Sequence, residues 1–249
     1  MKKIFAFVLI SLVASGLSAC SSTPESTEET ASAEELYTEA HKALEETSYA
    51  KAAETFEKVE LEHPYSKWAT KAKLMGAYAY YKDEKYDDAI ISLDRFIKYH
   101  PGNQDAPYAY YLKGLCYYEQ IAPANRDQSN TLKAKEVFEQ LIARYPDSKY
   151  AQDARLKIDL TNDRLAGQEM EIGRYYLKEK NYLSALNRFS TVVNLYQTTS
   201  HIEEALYRQV EIYVMLGLTS EAKNAEQVLV YNYPKSRWTA RARDLISEK

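Results

Sequence analysis

The chain is poor in cysteine, glycine, proline, histidine and tryptophan. Of its 249 residues, two are cysteine, seven are glycine and seven are proline. Two cysteines close at most one disulfide, so a disulfide-stapled fold is excluded. So few glycines and prolines also argue against an all-β domain, which needs many turns. The composition therefore favours a helical chain with an apolar core.

Residues that carry chemistry are scarce as well. The four histidines are scattered, and two of them occupy equivalent positions of an internal repeat, which favours packing over metal binding. The sequence has no glycine-rich phosphate loop, no GxSxG motif and no CxxC pair. Cys116 lies inside an apolar helical pattern, which favours a buried side chain over a nucleophile. We therefore predict no catalytic residue, no metal site and no cofactor.

The charge of the chain does not indicate a nucleic-acid partner. Lys and Arg number 32 against 36 Asp and Glu. Removal of residues 1–19 would take away two lysines and leave 30 basic residues, a net charge near −6. A nucleic-acid binder normally has a basic face, so no such partner is predicted.

The N-terminus has the pattern of a secretory signal. Lys2 and Lys3 precede an apolar run over residues 4–13, and small residues follow it. The run is too short to span a membrane as a helix. The sequence therefore predicts a signal peptide at residues 1–19. The segment from Leu17 to Cys20, which reads LSAC, resembles the lipobox of bacterial lipoproteins.

The lipobox resemblance implies that Cys20 is acylated and becomes the first residue of the mature chain. The alternative is an ordinary signal peptide with an incidental cysteine. Ser21 and Ser22 follow without an aspartate that would retain the protein in the inner membrane, which for a Gram-negative lipoprotein implies the outer membrane. Residues 20–33 have no large apolar side chain and are predicted to form a lipidated, flexible tether. No later run is long and apolar enough to span a bilayer.

An internal repeat occurs five times after the tether. Each copy has an alanine, a stop residue twelve positions later and a second alanine eight positions beyond the stop. An aromatic ring precedes each stop. The first alanines are Ala52, Ala89, Ala134, Ala185 and Ala222; the stops are Pro64, Pro101, Pro146, Gln197 and Pro234; the second alanines are Ala72, Ala109, Ala154, Ala205 and Ala242.

Each copy predicts a helical hairpin. Apolar residues four, seven and eight positions after the first alanine, such as Leu93, Phe96 and Ile97, form the stripe of an amphipathic helix, and proline ends it. The stops are 37, 45, 51 and 37 residues apart, a little above the roughly 34 residues of a tetratricopeptide repeat. The first helices of the hairpins are predicted near 34–46, 67–81, 106–120, 149–178 and 201–216, and a last helix at 238–248. Gly167 leaves open whether the fourth is one long helix or is broken.

The predicted fold is an all-α tetratricopeptide-repeat superhelix over residues 34–249. It has about five helix hairpins, a C-terminal capping helix and a concave groove. The chain contains 23 tyrosines, several of them clustered in the second and third hairpins. Tyrosine offers an apolar face with a polar tip, which suits a protein-binding surface. The alternative is that these rings fill gaps between hairpins.

Three long phrases resemble the BamD family, the tetratricopeptide lipoproteins of the machinery that folds β-barrels into the outer membrane. They are LDRFIKYHPGNQDAPYAYYLKGL (93–115), RDQSNTLKAKEVFEQLIARYPDSKYAQDA (126–154) and NDRLAGQEMEIGRYYLKEKNYLSALNRF (162–189). The resemblance covers the chain after the tether. Gln197, where proline is usual, and the high aromatic content depart from the family pattern.

The resemblance implies a non-enzymatic, lipid-anchored protein of the outer membrane that faces the periplasm. Its N-terminal repeats would receive the aromatic-ended signal of an unfolded barrel protein. Its C-terminal repeats would dock on BamA, beside the other lipoproteins of the BAM complex. An alternative is a periplasmic lipoprotein that scaffolds cell-wall or cell-division enzymes.

The resemblance and the clustering together give six candidate binding residues. Arg188 matches an arginine in an NRF-like phrase of the family that faces BamA, and Asn187 is its neighbour. The alternative for Arg188 is a solvated helix charge. The candidate client contacts, taken from clustering alone, are Tyr78, Tyr81, Tyr108 and Tyr111.

Overall fold

The computed structural model describes residues 31–247, and this range contains eleven helices and no strand. The signal peptide, Cys20 and most of the tether lie outside the described residues. The helices are α1 (Ala33–Glu45), α2 (Tyr49–Glu62), α3 (Lys67–Lys82), α4 (Tyr86–Tyr99), α5 (Ala106–Glu119), α6 (Ser129–Arg144), α7 (Lys149–Lys178), α8 (Tyr182–Leu195), α9 (Ile202–Met215), α10 (Thr219–Asn232) and α11 (Arg237–Ser247).

The helices pair as five antiparallel hairpins, from α1–α2 to α9–α10, and α11 packs on the last of them. This confirms the predicted fold. The first helices of neighbouring hairpins also contact each other: α1 contacts α3, α3 contacts α5, and α5 contacts α7. The first helices therefore lie on the inner, tighter side of the superhelix.

The recurring alanines mark where helices cross. All ten have a relative exposure of 0 or 1%, because a larger side chain would separate the backbones. A phenylalanine at the crossing fills the core of each of the first four hairpins: Phe56, Phe96, Phe138 and Phe189. In the fifth hairpin Glu226 stands at the position of the first apolar stripe residue, and Leu229 is the fully buried side chain of α10.

The helix ends also repeat. The aromatic residue before each stop is the C-cap of its helix, with φ between −137° and −129° in all five copies. Within four of the hairpins, the turn contains one residue of positive φ: Thr47, Glu84, Lys180 and Gly217. The next backbone N–H bonds back to a carbonyl five residues earlier, which closes a Schellman motif.

Helix α1 differs slightly from the sequence-based expectation, and helix α7 decides between two alternatives that the sequence left open. Helix α1 begins at Ala33, because Ser32 and Glu35 form a capping box, so the end of the predicted tether belongs to the fold. Helix α7 continues through Gly167 without a break. A Cβ at Gly167 would lie 3.2 Å from Nε2 of His201. Glycine there lets the α8–α9 turn approach α7 closely.

Candidate binding surfaces

The four candidate tyrosines lie on one inner surface. Tyr78 and Tyr81 lie on α3, and Tyr108 and Tyr111 lie on α5; all four are half-buried. Tyr78, Tyr81 and Tyr108 pack on the core cluster that contains Ala77, Leu112 and Cys116, and Tyr111 packs on the neighbouring one that contains Phe138 and Leu141. We call these four rings, with Tyr150, the tyrosine cluster. Their role as client contacts stays a prediction.

Tyr150, which was not among the predicted residues, joins the cluster from the start of α7. Its ring lies 5.3 Å from that of Tyr108 and 5.2 Å from that of Tyr111, nearly parallel to the latter. Tyr111 donates a 2.6 Å hydrogen bond to Oδ2 of Asp153. The sequence held a signal for Tyr150, which lies four residues before the second repeat alanine Ala154, as Trp68 and Trp238 lie before theirs.

The hydroxyls of Tyr81, Tyr108 and Tyr111 stay protonated at neutral pH, because the pKa of each is raised. Burial raises the pKa of Tyr108, and the nearby tyrosines raise it further. Burial, and then the hydrogen bond to Asp153, raise the pKa of Tyr111. Burial and the charge of Glu119 raise the pKa of Tyr81 to about 12. The cluster thus presents apolar ring faces together with hydroxyl donors, and no anionic nucleophile or base.

Arg188, on α8, is partly exposed and already has a partner within the chain. Its Nη1 atom lies 3.3 Å from Oε2 and 3.4 Å from Oε1 of Glu169 on α7. The Arg188 side chain is 42% exposed, and that of Glu169 is 17% exposed. Only Nη1 is engaged by a described residue, so Nε and Nη2 keep donors for a partner carboxylate. Sequence reasoning missed Glu169, which lies 19 positions away on another helix.

Asn187 lies beside Arg188 and is exposed. Its backbone carbonyl accepts a 3.1 Å hydrogen bond from Oγ1 of Thr191. Its side-chain amide makes no hydrogen bond within the described range. Arg188 and Asn187 therefore form a polar surface on the second helix of the fourth hairpin, which we call the α8 surface.

Other candidate chemistry is held inside the fold. Cys116 is fully buried, and burial raises the pKa of its thiol to about 12. Between residues 31 and 247, no group of three or more His, Cys, Asp and Glu side chains is placed to hold a metal ion. None of the helices in that range is long and apolar enough to cross a membrane.

Comparison with known proteins identifies the family. The family model described as YfiO, outer membrane lipoprotein, matches residues 29–228. The outer membrane protein assembly factor BamD of Rickettsia prowazekii is 47% identical over 245 residues, which cover 98% of this chain and 96% of that protein. The protein of the same name from Caulobacter vibrioides is 44% identical, with 98% of this chain and 80% of that protein covered.

Among solved structures, a tetratricopeptide repeat protein from Parabacteroides merdae has a TM-score of 0.43 at 15% identity, over 87% of this chain and 74% of that one. The family assignment comes from the sequence matches, which extend over nearly the whole chain. The chain belongs to the BamD family of outer membrane protein assembly factors.

Proposed function

We propose that the chain is a non-enzymatic assembly factor of the outer-membrane β-barrel machinery, anchored by a lipid on Cys20 and facing the periplasm. It receives the C-terminal segment of an unfolded barrel protein at the tyrosine cluster. It docks on BamA through the α8 surface, beside the other BAM lipoproteins. The family membership supports the assembly role. The tyrosine cluster is the observation that supports binding of the client.

The chemistry of the cluster suits an extended, aromatic-ended segment. Aromatic rings pack against one another at centroid distances of about 4.5–7 Å, the spacing that Tyr108, Tyr111 and Tyr150 already show among themselves. The hydroxyls of Tyr78, Tyr108 and Tyr150 can donate to carbonyls of an unpaired strand, since those of Tyr81 and Tyr111 already bond carboxylates of the fold. Such contacts are individually weak, which allows the client to be released to the next component.

The chemistry of the α8 surface suits a partner carboxylate. A guanidinium forms planar, charge-assisted hydrogen bonds, and Arg188 is held in place by Glu169 while part of its fork stays free. Docking would therefore use an arginine whose position is already fixed, which lowers the entropy lost on binding.

A catalytic role has no comparable support. A cleft of about 470 Å³ lies between α7 and the turns before α6 and α9. Within it Asp163 accepts hydrogen bonds from Ser200 and lies 3.8 Å from Nε2 of His201, and Arg174 pairs with Glu171 and Glu204.

The docking claim can be tested by affinity purification from detergent-solubilised outer membranes. Arg188→Gln should reduce recovery of BamA about tenfold or more, since loss of a hydrogen bond from a charged group costs about 1.5–3 kcal/mol. Glu169→Gln is the matched control, because it breaks the same internal ion pair and keeps the guanidinium; we expect it to lose much less BamA than Arg188→Gln does.

Two results would contradict the proposal. Full recovery of BamA by Arg188→Gln would show that docking does not use the α8 surface. Recovery of cell-wall or cell-division enzymes without BamA, by the unaltered chain, would support the alternative scaffold function instead.

A further inference from the structure

An aromatic pair recurs between the first helices of neighbouring hairpins. Tyr37 packs on Trp68, Tyr111 on Tyr150, and Tyr207 on Trp238, with ring centroids 4.7, 5.2 and 5.1 Å apart. The second ring lies four residues before a second repeat alanine in every case. The chain's two tryptophans therefore occupy equivalent positions near its two ends.

Two cationic side chains, at equivalent sequence positions, also lie next to each tryptophan ring. Nζ of Lys67 and Nζ of Lys71 lie 5.3 and 5.5 Å from the centre of the Trp68 ring. The guanidinium carbons of Arg237 and Arg241 lie 4.8 and 5.0 Å from that of Trp238. Trp238 is buried and has a third cation, Arg208, 5.7 Å from its ring, whereas Trp68 is half-buried.

The Trp68 site belongs to an edge rich in exposed aromatic rings. The turns that join one hairpin to the next lie on this edge. Tyr65, in the α2–α3 turn, is fully exposed, and Tyr99, at the end of α4, is 65% exposed. Nζ of Lys98 lies 5.4 Å from the ring of Tyr99. We call Tyr65, Lys67, Trp68, Lys71, Lys98 and Tyr99 the aromatic–lysine edge.

The opposite edge of the same two hairpins is different. Its turns are Glu45–Ser48 and Asp83–Lys85, and Lys85 pairs with Asp83 at 2.8 Å. No large hydrophobic side chain is exposed in these two turns. On the aromatic–lysine edge, by contrast, Lys67, Lys71 and Lys98 form no ion pair with a described carboxylate. The exposed rings are thus concentrated on one edge, whereas on the opposite edge Nζ of Lys82 lies 5.7 Å from the half-buried ring of Tyr49.

The described chain begins at this same edge. Nε2 of His63, in the α2–α3 turn, lies 2.8 Å from the backbone carbonyl oxygen of Ala31. Ala31 comes eleven residues after Cys20. A flexible chain of that length has a root-mean-square span of about 20 Å and reaches about 40 Å at most. A lipid on Cys20 would therefore hold this edge close to the bilayer.

We propose that the aromatic–lysine edge rests on the phospholipid surface of the membrane that holds the anchor. The inference rests on the proposed lipid anchor. Tryptophan and tyrosine favour the headgroup level, where the ring is apolar and its tip is wet, and lysines attract anionic headgroups. The whole chain is acidic, and Glu34, Glu35, Glu62 and Asp105 lie near this edge, so the attraction is local to the three lysines.

A weak contact is sufficient in this arrangement. A short flexible tether gives an effective concentration in the millimolar range, so a surface contact with a dissociation constant near that value is populated about half of the time. The contact would fix the orientation of the superhelix, with the edge between hairpins toward the membrane.

The test uses the chain from Cys20 onward, which contains every described helix. Its Cys20 thiol is coupled to a maleimide-headgroup lipid in the membrane of vesicles. Cys116 is buried and its raised pKa keeps it unreactive at pH 7. The vesicles contain phosphatidylethanolamine and phosphatidylglycerol with brominated acyl chains. Trp238→Phe leaves Trp68 as the only tryptophan, and its emission should fall at least twofold relative to unbrominated vesicles.

Two double variants with matched charge reversals decide the result. Trp68 is the fluorescent reporter in both variants. Lys67→Glu with Lys71→Glu should abolish the quenching, whereas Arg237→Glu with Arg241→Glu should leave it unchanged. Absence of quenching in the parent protein, or an equal loss in both double variants, would overturn the proposal. Circular dichroism confirms that each variant is folded.

The result is independent of the proposed assembly role. The coupling is chemical, so it does not require acylation in the cell. We also expect Lys67→Glu with Lys71→Glu to recover BamA as the unaltered chain does. If the unaltered chain fails to recover BamA, the proposed function fails while the vesicle experiment still decides the membrane contact.

Discussion

At the scale of single residues, the tightest contacts are made by glycines on the first helices. A Cβ on Gly114 would lie 2.3 Å from Cε1 of Phe138, and one on Gly173 would lie 2.6 Å from Cε1 of Phe189. These phenylalanine rings, both fully buried, press against a bare backbone. The glycines therefore set how closely the two helices of a hairpin approach.

Gly114→Ala should lower the free energy of unfolding by about 1–3 kcal/mol, the usual cost of overpacking a close-packed core. Gly102→Ala is the control, because a Cβ there meets nothing within 4 Å; it should change stability by less than about 0.5 kcal/mol. Urea unfolding followed by circular dichroism measures both. Equal stability of the two variants would show that the ring of Phe138 moves aside freely.

These residues also show how much of the structure could be predicted from the sequence. The repeat alanines were predictable because their register recurs five times, and all ten are buried as expected. Gly114 and Gly173 belong to no such register, so their role could be recognised only from the positions of the phenylalanine rings in the structure. The tyrosines of α3 and α5 were found from clustering along the chain, whereas Glu169 meets Arg188 only because α7 packs on α8.

At the scale of elements, the helix stops do not depend on proline. Tyr196, which precedes Gln197, has φ −129° and ψ 42°, close to the values before the four prolines. In every copy the carbonyl of this C-cap residue accepts a bond from the residue three positions on. The turn is set by the C-cap and this bond, which explains why the prediction held where proline is missing.

Gln197→Pro should therefore stabilise the chain. The preceding residue already has a conformation found before proline, and the Gln197 N–H makes no backbone hydrogen bond within the described range. Proline then reduces the entropy of the unfolded chain, which is worth about 0.4–1 kcal/mol. Thermal and urea unfolding measure the gain. A lower unfolding midpoint would mean that residue 197 needs a backbone angle closed to proline.

At the scale of the whole molecule, the tyrosine cluster and the α8 surface are separate. The cluster lies on α3, α5 and the start of α7, and the α8 surface lies beyond the middle of α7. Tyr150 and Glu169, both on α7, are about 28 Å apart along the helix at 1.5 Å per residue. A substitution at one surface therefore removes no direct contact of the other.

Tyr150→Ala should weaken binding of a short peptide ending in phenylalanine about two- to tenfold, since one aromatic contact contributes about 0.5–1.5 kcal/mol. Its recovery of BamA should be unchanged. Fluorescence anisotropy of a labelled peptide measures the affinity. Tyr231→Ala removes a tyrosine that is 86% exposed on α10 and should bind the peptide normally; an equal loss there would place the client elsewhere.

Helix α7 has one further consequence. It is unbroken over 30 residues, about 45 Å at 1.5 Å per residue, and it carries a ring of the tyrosine cluster near one end and the carboxylate partner of Arg188 farther along. Thermodynamic linkage requires that any factor by which docking changes client affinity is also the factor by which a bound client changes docking affinity. The effect of docking on client affinity and the effect of a bound client on docking affinity would then be given by the same coupling free energy.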